Sequence, residues 1–181
     1  MPMDYRNYKE DKFIRNDIEP LYIGAFPEEE RPPVEMFFSN ALKDNNDLLA
    51  FYEDNHFIGF ANVLFYKDIC YMFFLAIAPE YRSRGYGSII IQEAFKKYEG
   101  KRFVLCFEEV DDKYEDNSYR IKRREFYYHN GFKDNKLKTW EYGVVYDTVY
   151  YGDCPVSFEE YLSLMVHCYG ERAKQYIKKA S

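Results

Sequence analysis

A short run rich in glycine, arginine and serine has the composition of a phosphate-binding turn. It follows an apolar run at residues 71–77, precedes a helical pattern, and consists of Arg82, Ser83, Arg84, Gly85, Tyr86, Gly87 and Ser88. Glycines leave backbone N–H groups uncovered, and the N-terminus of a helix favours negative charge. The sequence therefore predicts a site for a phosphate or pyrophosphate. An ordinary turn is the alternative, since tight turns need glycine for steric reasons alone.

The residues around this turn make it more specific. Leu75, Ala76 and Ile77 end the apolar run, Pro79 follows, and the turn has the spacing Arg-x-x-Gly-x-Gly. This arrangement closely resembles the acyl-coenzyme A signature of the GCN5-related N-acetyltransferase (GNAT) family. Other phosphate loops fit less well, because no Gly-Lys-Ser/Thr ends the turn and no third glycine completes a dinucleotide-binding fingerprint.

A second segment resembles a later part of the same family. It joins a helix to a strand and contains Phe126 and Tyr127, followed by Gly131 and Phe132. With both segments in the family's order, the resemblance extends over about residues 4–151. It implies a mixed α/β (α+β) acyl-coenzyme A N-acyltransferase fold, with a central sheet of about six to seven strands flanked by helices, in a bacterial-type member of unknown substrate.

The resemblance also implies a reaction: transfer of an acetyl group from acetyl-coenzyme A, as co-substrate, to a primary amine by direct attack in a ternary complex. In the family two central strands splay apart and expose backbone to the pantetheine arm, which adds as a pseudo-strand. The implied coenzyme-binding residues are Leu75, Ala76, Ile77, Arg82, Ser83, Arg84, Gly85, Tyr86, Gly87 and Ser88.

Such a reaction needs a polarised carbonyl, a stabilised thiolate and a proton acceptor for the amine. A backbone N–H near Ile77 can polarise the carbonyl, Tyr127 can donate to the departing sulfur, and Glu109 can accept the proton. Tyr127 could instead be a core ring, with Tyr128 or water serving the sulfur. Glu108 is the alternative to Glu109, because neighbouring side chains of a strand point to opposite faces.

Several charged and polar residues have more than one interpretation. The acidic run at residues 28–30 could attract an amine, but a solvated face is the simpler interpretation. Arg123 or Arg124 could touch the adenosine phosphate, and Asn117 is the nearest match to the family's coenzyme-contacting asparagine. The competing function is a non-catalytic acyl-coenzyme A-binding regulatory or interaction module, since a fold alone does not establish turnover.

Hydrophobic periodicity predicts the elements that position these residues. In the first half we expect strands at residues 4–8, 47–53 and 57–66, with a hairpin turn at Asp54-Asn55. Helices are expected at residues 17–26 and, after a proline-rich break, in a segment carrying Val34, Phe37, Phe38 and Leu42. A further helix is expected from Ser88, ending at Gly100.

The second half has a comparable pattern. We expect a strand at residues 102–107, parallel to the central one, then a helix, and two strands within residues 138–151. Beyond the resemblance, Ser157 and Glu160 form a capping box for a tail helix. Its expected apolar stripe consists of Phe158, Tyr161, Leu162, Met165 and Tyr169.

Composition bounds the class of protein. A chain of 181 residues with 47% hydrophobic and 31% charged residues is expected to be a single domain, with a core at about residues 4–151 and a helical tail at residues 152–181. Four scattered cysteines predict free thiols in a reducing cytoplasm, and the isolated histidines indicate no metal site.

Charge and hydropathy suggest what the protein does not bind. A net charge of −6 argues against nucleic acid. No apolar run is long enough for a membrane span, and the charged N-terminus does not resemble a signal peptide. The expected partner is a small-molecule or peptide amine, and the chain is expected to be a monomer or homodimer.

Overall fold

The computed structural model describes residues 3–181. Within that range the strands are β1 (Asp4–Asn7), β2 (Asn46–Glu53), β3 (His56–Tyr66), β4 (Ile69–Ile77), β5 (Arg102–Glu108), β6 (Lys133–Glu141), β7 (Val144–Tyr151) and β8 (Ile177–Ala180). The α-helices are α1 (Arg15–Ala25), α2 (Val34–Asn40), α3 (Tyr86–Lys97), α4 (Asn117–His129), α5 (Phe158–Tyr169) and α6 (Ala173–Tyr176). Short 3-10 helices cover Lys12–Ile14, Glu28–Glu30 and Pro79–Tyr81.

The strands form one open mixed sheet in the order β1-β2-β3-β4-β5-β7-β6-β8. β4 and β5 are parallel, as expected for two strands joined through a helix, whereas β2 on β3 and β6 on β7 are antiparallel. The predicted mixed α/β fold is confirmed. The eighth strand, β8, was not expected, because its four residues, two of them lysines, show no clear strand pattern.

Two compact units can be distinguished along the chain. One comprises Met1–Leu64 and Met72–Lys97, and the other comprises Phe65–Tyr71 and Tyr98–Ser181. β4 contributes residues to both units. The expectation of a single domain stays a prediction.

An aromatic core organises the first unit. Tyr22 of α1 stacks on Phe37 of α2 with ring centroids 4.0 Å apart, and Phe74 of β4 meets Tyr22 edge-on at 5.4 Å. Such pairs stabilise a fold beyond the area that they bury. The Tyr22 hydroxyl donates to the Pro32 carbonyl at 2.9 Å, which closes the proline-rich break between the two helices.

Most predicted elements of this half are confirmed. Asp54 and Asn55 have φ angles of 48° and 64°, the left-handed conformation of a type I′ hairpin turn. One detail was wrong: α2 ends at Asn40, and Leu42 lies beyond it with 49% of its surface exposed. The helical spacing of apolar residues therefore extends two residues beyond the end of α2.

The capping box of the second unit is confirmed. Ser157 accepts the Glu160 N–H, and the Glu160 carboxylate accepts the Ser157 N–H, so α5 begins at Phe158 as expected. The Glu160 carboxylate also binds the Arg102 guanidinium at 2.6 Å. The start of the helix is therefore held both locally and by β5.

The predicted apolar stripe of α5 was partly wrong. Its buried residues are Tyr161, Leu164, Met165 and Cys168. The Tyr161 hydroxyl donates to the buried Glu141 carboxylate at 2.7 Å, which sets the face that α5 turns inward. Burial raises the pKa of Glu141.

Candidate active site

The predicted phosphate turn leads directly into α3. The helix begins at Tyr86, two residues before the expected start, so Gly87 and Ser88 lie in its first turn. Gly85 has a φ of 85°, a left-handed conformation that glycine adopts without strain. The Ile89 N–H donates to the Gly85 carbonyl at 3.2 Å, as the first helical bond. The N–H groups of the first turn have no partner within the helix and suit an anion.

Some side chains of the turn are committed to the protein. Arg82 donates Nε to the Ile77 carbonyl at 3.0 Å, which folds the turn back onto the end of β4. The Tyr86 hydroxyl donates to the Glu53 carboxylate. Arg84 remains exposed. The backbone amides and Arg84 are therefore the best-placed anion donors, while Arg82 and Tyr86 also hold the turn in shape.

Side chains alternate between two faces along the end of β4. Phe74 and Ala76 belong to the aromatic core of the first unit, whereas Leu75 and Ile77 pack against a second apolar cluster. Phe73, which is partly buried, also packs against the aromatic core. Both faces of this segment are therefore covered by apolar side chains of the first unit.

The register of β4 on β5 covers three residue pairs, from Ile69 opposite Arg102 to Tyr71 opposite Val104. Leu75, Ala76 and Ile77 lie further along β4. The predicted coenzyme residues of the strand therefore lie beyond the three residues of β4 that this register covers.

Tyr127 lies on α4 among aromatic rings. Its ring centroid is 5.7 Å from that of Phe107 on β5 and 5.9 Å from that of Phe132. The side chain is half-buried, and within residues 3–181 its hydroxyl makes no hydrogen bond to another residue. Burial raises the pKa of Tyr127, an effect that nearby Arg123 opposes. The phenol therefore stays protonated at neutral pH and retains a proton to donate.

Glu109 is buried and held by two lysines. Its Oε2 accepts from Lys113 Nζ at 2.7 Å and from Tyr114 at 3.3 Å, and its Oε1 accepts from Lys138 Nζ at 2.8 Å. The hydrogen bonds from Lys113 and Lys138 lower the pKa of Glu109 to about 2. This differs from the raised pKa expected of a catalytic carboxylate. Both lysines were missed, and Lys138 lies 29 residues away along the chain.

Strand register shows which face of the sheet Glu109 occupies. Phe107 lies opposite Asp147, which in turn lies opposite Lys138, so these three side chains share a face. Lys138 binds Glu109, and Phe107 packs against Tyr127. Glu109 and Tyr127 therefore lie on the same side of the sheet.

Glu108 occupies the opposite face of β5, where it lies across from Tyr146. Its contacts are longer than those of Glu109: Oε1 is 3.4 Å from Arg120 Nη2, and Oε2 is 3.7 Å from Arg123 Nη1. A quarter of its side chain, 25%, is exposed. Glu108 is therefore more accessible to a ligand than Glu109.

Arg120 joins the end of β5 to the start of α4. Its Nε binds Asp116, four residues earlier, at 2.9 Å, and its Nη1 donates to the Glu109 carbonyl at 3.1 Å. The guanidinium lies 3.9 Å from the Tyr114 ring centroid. Only 11% of the Arg120 side chain is exposed, so these contacts lie largely out of solvent.

Asn117 has a structural role. Its Oδ1 accepts the Asp111 N–H at 3.0 Å, and its Nδ2 donates to Asp112 at 2.9 Å. Both ends of the amide are thus used to fold the acidic loop, which leaves the side chain poorly suited to contact a coenzyme.

The lysine contacts predict that Glu109 stabilises the fold in a pH-dependent way. Because its folded pKa lies below its unfolded value, the contribution is present above about pH 4.5 and is lost as the pH falls toward 2. We expect Glu109→Gln to lower the melting temperature at pH 7 and to match the parent near pH 2. Thermal melts across this range test it, with Glu115→Gln, an exposed change in the same loop, as control. A difference in melting temperature between Glu109→Gln and the parent that is the same at every pH would contradict the prediction.

Among residues 3–181 no helix is long and apolar enough to cross a membrane. The same residues contain no group of three or more His, Cys, Asp or Glu side chains that could hold a metal ion.

Solved structures with this fold include several acetyltransferases. A protein from Bacteroides thetaiotaomicron, described as a possible GNAT acetyltransferase, is 20% identical with a TM-score of 0.70, covering 92% of this chain and 98% of its own. The ribosomal-protein-S18-alanine N-acetyltransferase of Escherichia coli is 13% identical with a TM-score of 0.63, covering 86% and 97%. The PaiA N-acetyltransferase of Thermoplasma acidophilum, in complex with coenzyme A, is 19% identical with a TM-score of 0.57, covering 84% and 100%.

The sequence comparisons bear on the family directly. Comparison with curated proteins found no match. The family model "Acetyltransferase (GNAT) family" matches residues 12–132, which include the phosphate turn, the end of β4 and Tyr127. The chain therefore belongs to the GNAT acetyltransferase family.

Proposed function

We propose that the protein transfers an acetyl group from acetyl-coenzyme A to a primary amine by direct attack in a ternary complex. The observation that carries this proposal is the turn before α3. Its left-handed Gly85 and the N–H groups of the first helical turn, which have no acceptor within the helix, form an anion-binding backbone within the segment that the family model matches.

In the proposed complex this backbone binds the coenzyme pyrophosphate. The contributing residues are Arg82, Ser83, Arg84, Gly85, Tyr86, Gly87 and Ser88. The end of β4, with Leu75, Ala76 and Ile77, binds the pantetheine arm through its backbone. Acetyl-coenzyme A is thus a co-substrate, and the proposed reaction uses no metal.

Tyr127 is proposed as the hydrogen-bond donor to the departing thiolate. Its hydroxyl has no hydrogen-bond partner among residues 3–181, and its raised pKa keeps the hydroxyl protonated and able to donate to the thiolate as it departs. Proton transfer from an unperturbed phenol of pKa ~10 to a thiolate of pKa ~8.5 is uphill by about 2 kcal/mol, and the raised pKa of Tyr127 makes full transfer less favourable still. A hydrogen bond alone can therefore suffice.

The proposed proton acceptor is a carboxylate at the end of β5. Sequence reasoning favoured Glu109, which remains one of the two candidates and would act through a water. The geometry favours Glu108. Glu109 is bound by Lys113 and Lys138, whereas Glu108 lies 3.4 Å from Arg120 and a quarter of its side chain is exposed. The Glu108 carboxylate also lies 3.7 Å from Arg123, which precedes Tyr127 by one turn of α4.

A turnover screen tests the proposed function. Acetyl-coenzyme A is incubated with panels of amine metabolites, aminoglycosides, lysine peptides and peptides with free N-termini, and released thiol is measured. The last panel includes a peptide beginning with alanine, because the Escherichia coli relative is named for that acceptor. Thiol release with one class supports the proposal. Coenzyme binding without turnover on any class would instead favour a non-catalytic binding module.

The two carboxylates are distinguished by matched substitutions. We expect Glu108→Gln to lower kcat/KM at least about tenfold, most strongly at low pH, where free amine is scarce. Glu109→Gln is expected to reduce thermal stability more than kcat/KM. The opposite ranking would return the role of acceptor to Glu109, and two mild kinetic effects would assign it to water or to another acid.

A further inference from the structure

β3 passes unusually close to the end of β4 at Gly59. A Cβ atom placed on Gly59 would lie 2.3 Å from the Ala76 carbonyl oxygen and 3.1 Å from the Ile77 Cα. Real Cβ atoms essentially never approach a backbone oxygen that closely, so any side chain here requires β4 to move. An isolated glycine inside a strand pattern is the sequence signal for such an approach, and it was not used.

The segment of β4 that faces Gly59 is held by its neighbours. The Ala78 N–H donates to the Ile58 carbonyl at 2.9 Å, next to Gly59 on β3. The Ile77 carbonyl accepts from Arg82 Nε at 3.0 Å. The chain has no cis peptide bond among its described residues. The backbone is therefore fixed at the Ile77–Ala78 peptide, which directly follows the Ala76–Ile77 peptide.

Peptide geometry then gives the direction of one N–H group. In a planar trans peptide the C=O and the N–H point in opposite directions. Because the Ala76 carbonyl oxygen lies against Gly59, the Ile77 N–H points away from β3. A side chain at position 59 would push on this carbonyl and so turn the N–H.

We infer that Gly59 is a positioning residue, which aims the Ile77 N–H at the thioester carbonyl oxygen of the bound acyl group. This inference rests on the proposed acetyl transfer. As the amine attacks, the carbonyl oxygen gains negative charge, and a fixed donor stabilises that charge more than the ground state. Gly59 itself touches neither substrate.

The test compares Gly59→Ala with Ala61→Gly. Ala61 lies two residues along β3, on the same face, and is fully buried in the second apolar cluster, so its change weakens the strand without placing a group against Ala76. We expect Gly59→Ala to lower kcat about tenfold to 100-fold relative to Ala61→Gly, with KM for the amine unchanged. It should also lower affinity for acetyl-coenzyme A more than for coenzyme A, which has no acyl carbonyl.

A measurement on the parent protein covers the case in which Gly59→Ala fails to fold. The protein is labelled with ¹⁵N-isoleucine, and the Ile77 amide resonance is assigned as the one that disappears in Ile77→Val. We expect acetyl-coenzyme A and coenzyme A to shift this resonance by different amounts. Identical shifts, or equal kcat values for the two variants, would overturn the role of Gly59 while leaving the transfer reaction intact. A parent that neither binds nor consumes acetyl-coenzyme A would overturn both proposals.

Discussion

Tyr127→Phe is expected to lower kcat about 100-fold or more while leaving coenzyme A binding unchanged. The substitution removes a hydroxyl that makes no hydrogen bond within residues 3–181 and keeps the ring that packs against Phe107 and Phe132. The fold should therefore lose little stability. The loss appears in kcat because the hydroxyl acts only as the sulfur departs.

The measurement is steady-state turnover from pH 6 to pH 9, together with coenzyme-induced shifts in melting temperature. Tyr128→Phe is the matched control, since it changes the next residue of α4, which is 37% exposed. Normal activity in Tyr127→Phe combined with slow turnover in Tyr128→Phe would show that the assignment is displaced by one residue. Activity equal to that of the parent in both variants would assign the donation to the thiolate to water.

Gly87→Val is expected to remove most of the stabilisation that coenzyme A provides. At about 100 times its dissociation constant the ligand should stabilise the parent by about 2.7 kcal/mol, which corresponds to a rise in melting temperature of about 5–10 °C. Gly87 lies in the first turn of α3, where a branched side chain would stand in the path of the phosphate. The shift should fall to near zero.

The variant itself should fold. Gly87 is absent from the positive-φ residues of the described chain, and valine is better tolerated than glycine inside a helix. Gly24→Val is the control, because a Cβ on Gly24 of α1 has no atom within 4 Å outside its own helix and neighbouring residues. An undiminished coenzyme-induced shift in folded Gly87→Val would refute the phosphate site.

The sequence by itself determined the features that depend on residues close together in the chain. The turn before α3, the hairpin at Asp54 and Asn55, and the capping box of Ser157 and Glu160 each involve contacts within a few residues. Local conformational preference and helix capping act over that distance. The family resemblance was equally local, because both of its motifs are short segments, and the family model confirms it.

Tertiary structure decided which face of an amphipathic helix is buried and whether a short segment forms a strand. The sequence of α5 allows more than one apolar face, and the bond from Tyr161 to Glu141 on β6 selects the buried one. β8 exists because β6 offers it an edge to pair with, which four residues do not encode alone.

The state of the carboxylates also required the fold. Glu109 and Lys138 are 29 residues apart, and only the pairing of β5, β7 and β6 places them on one face, where the lysine lowers the carboxyl pKa. Gly59 and Ala76 are likewise joined only by the approach of β3 to β4. The residue types were visible in the sequence, but electrostatic and steric effects depend on distance in space, which strand register sets.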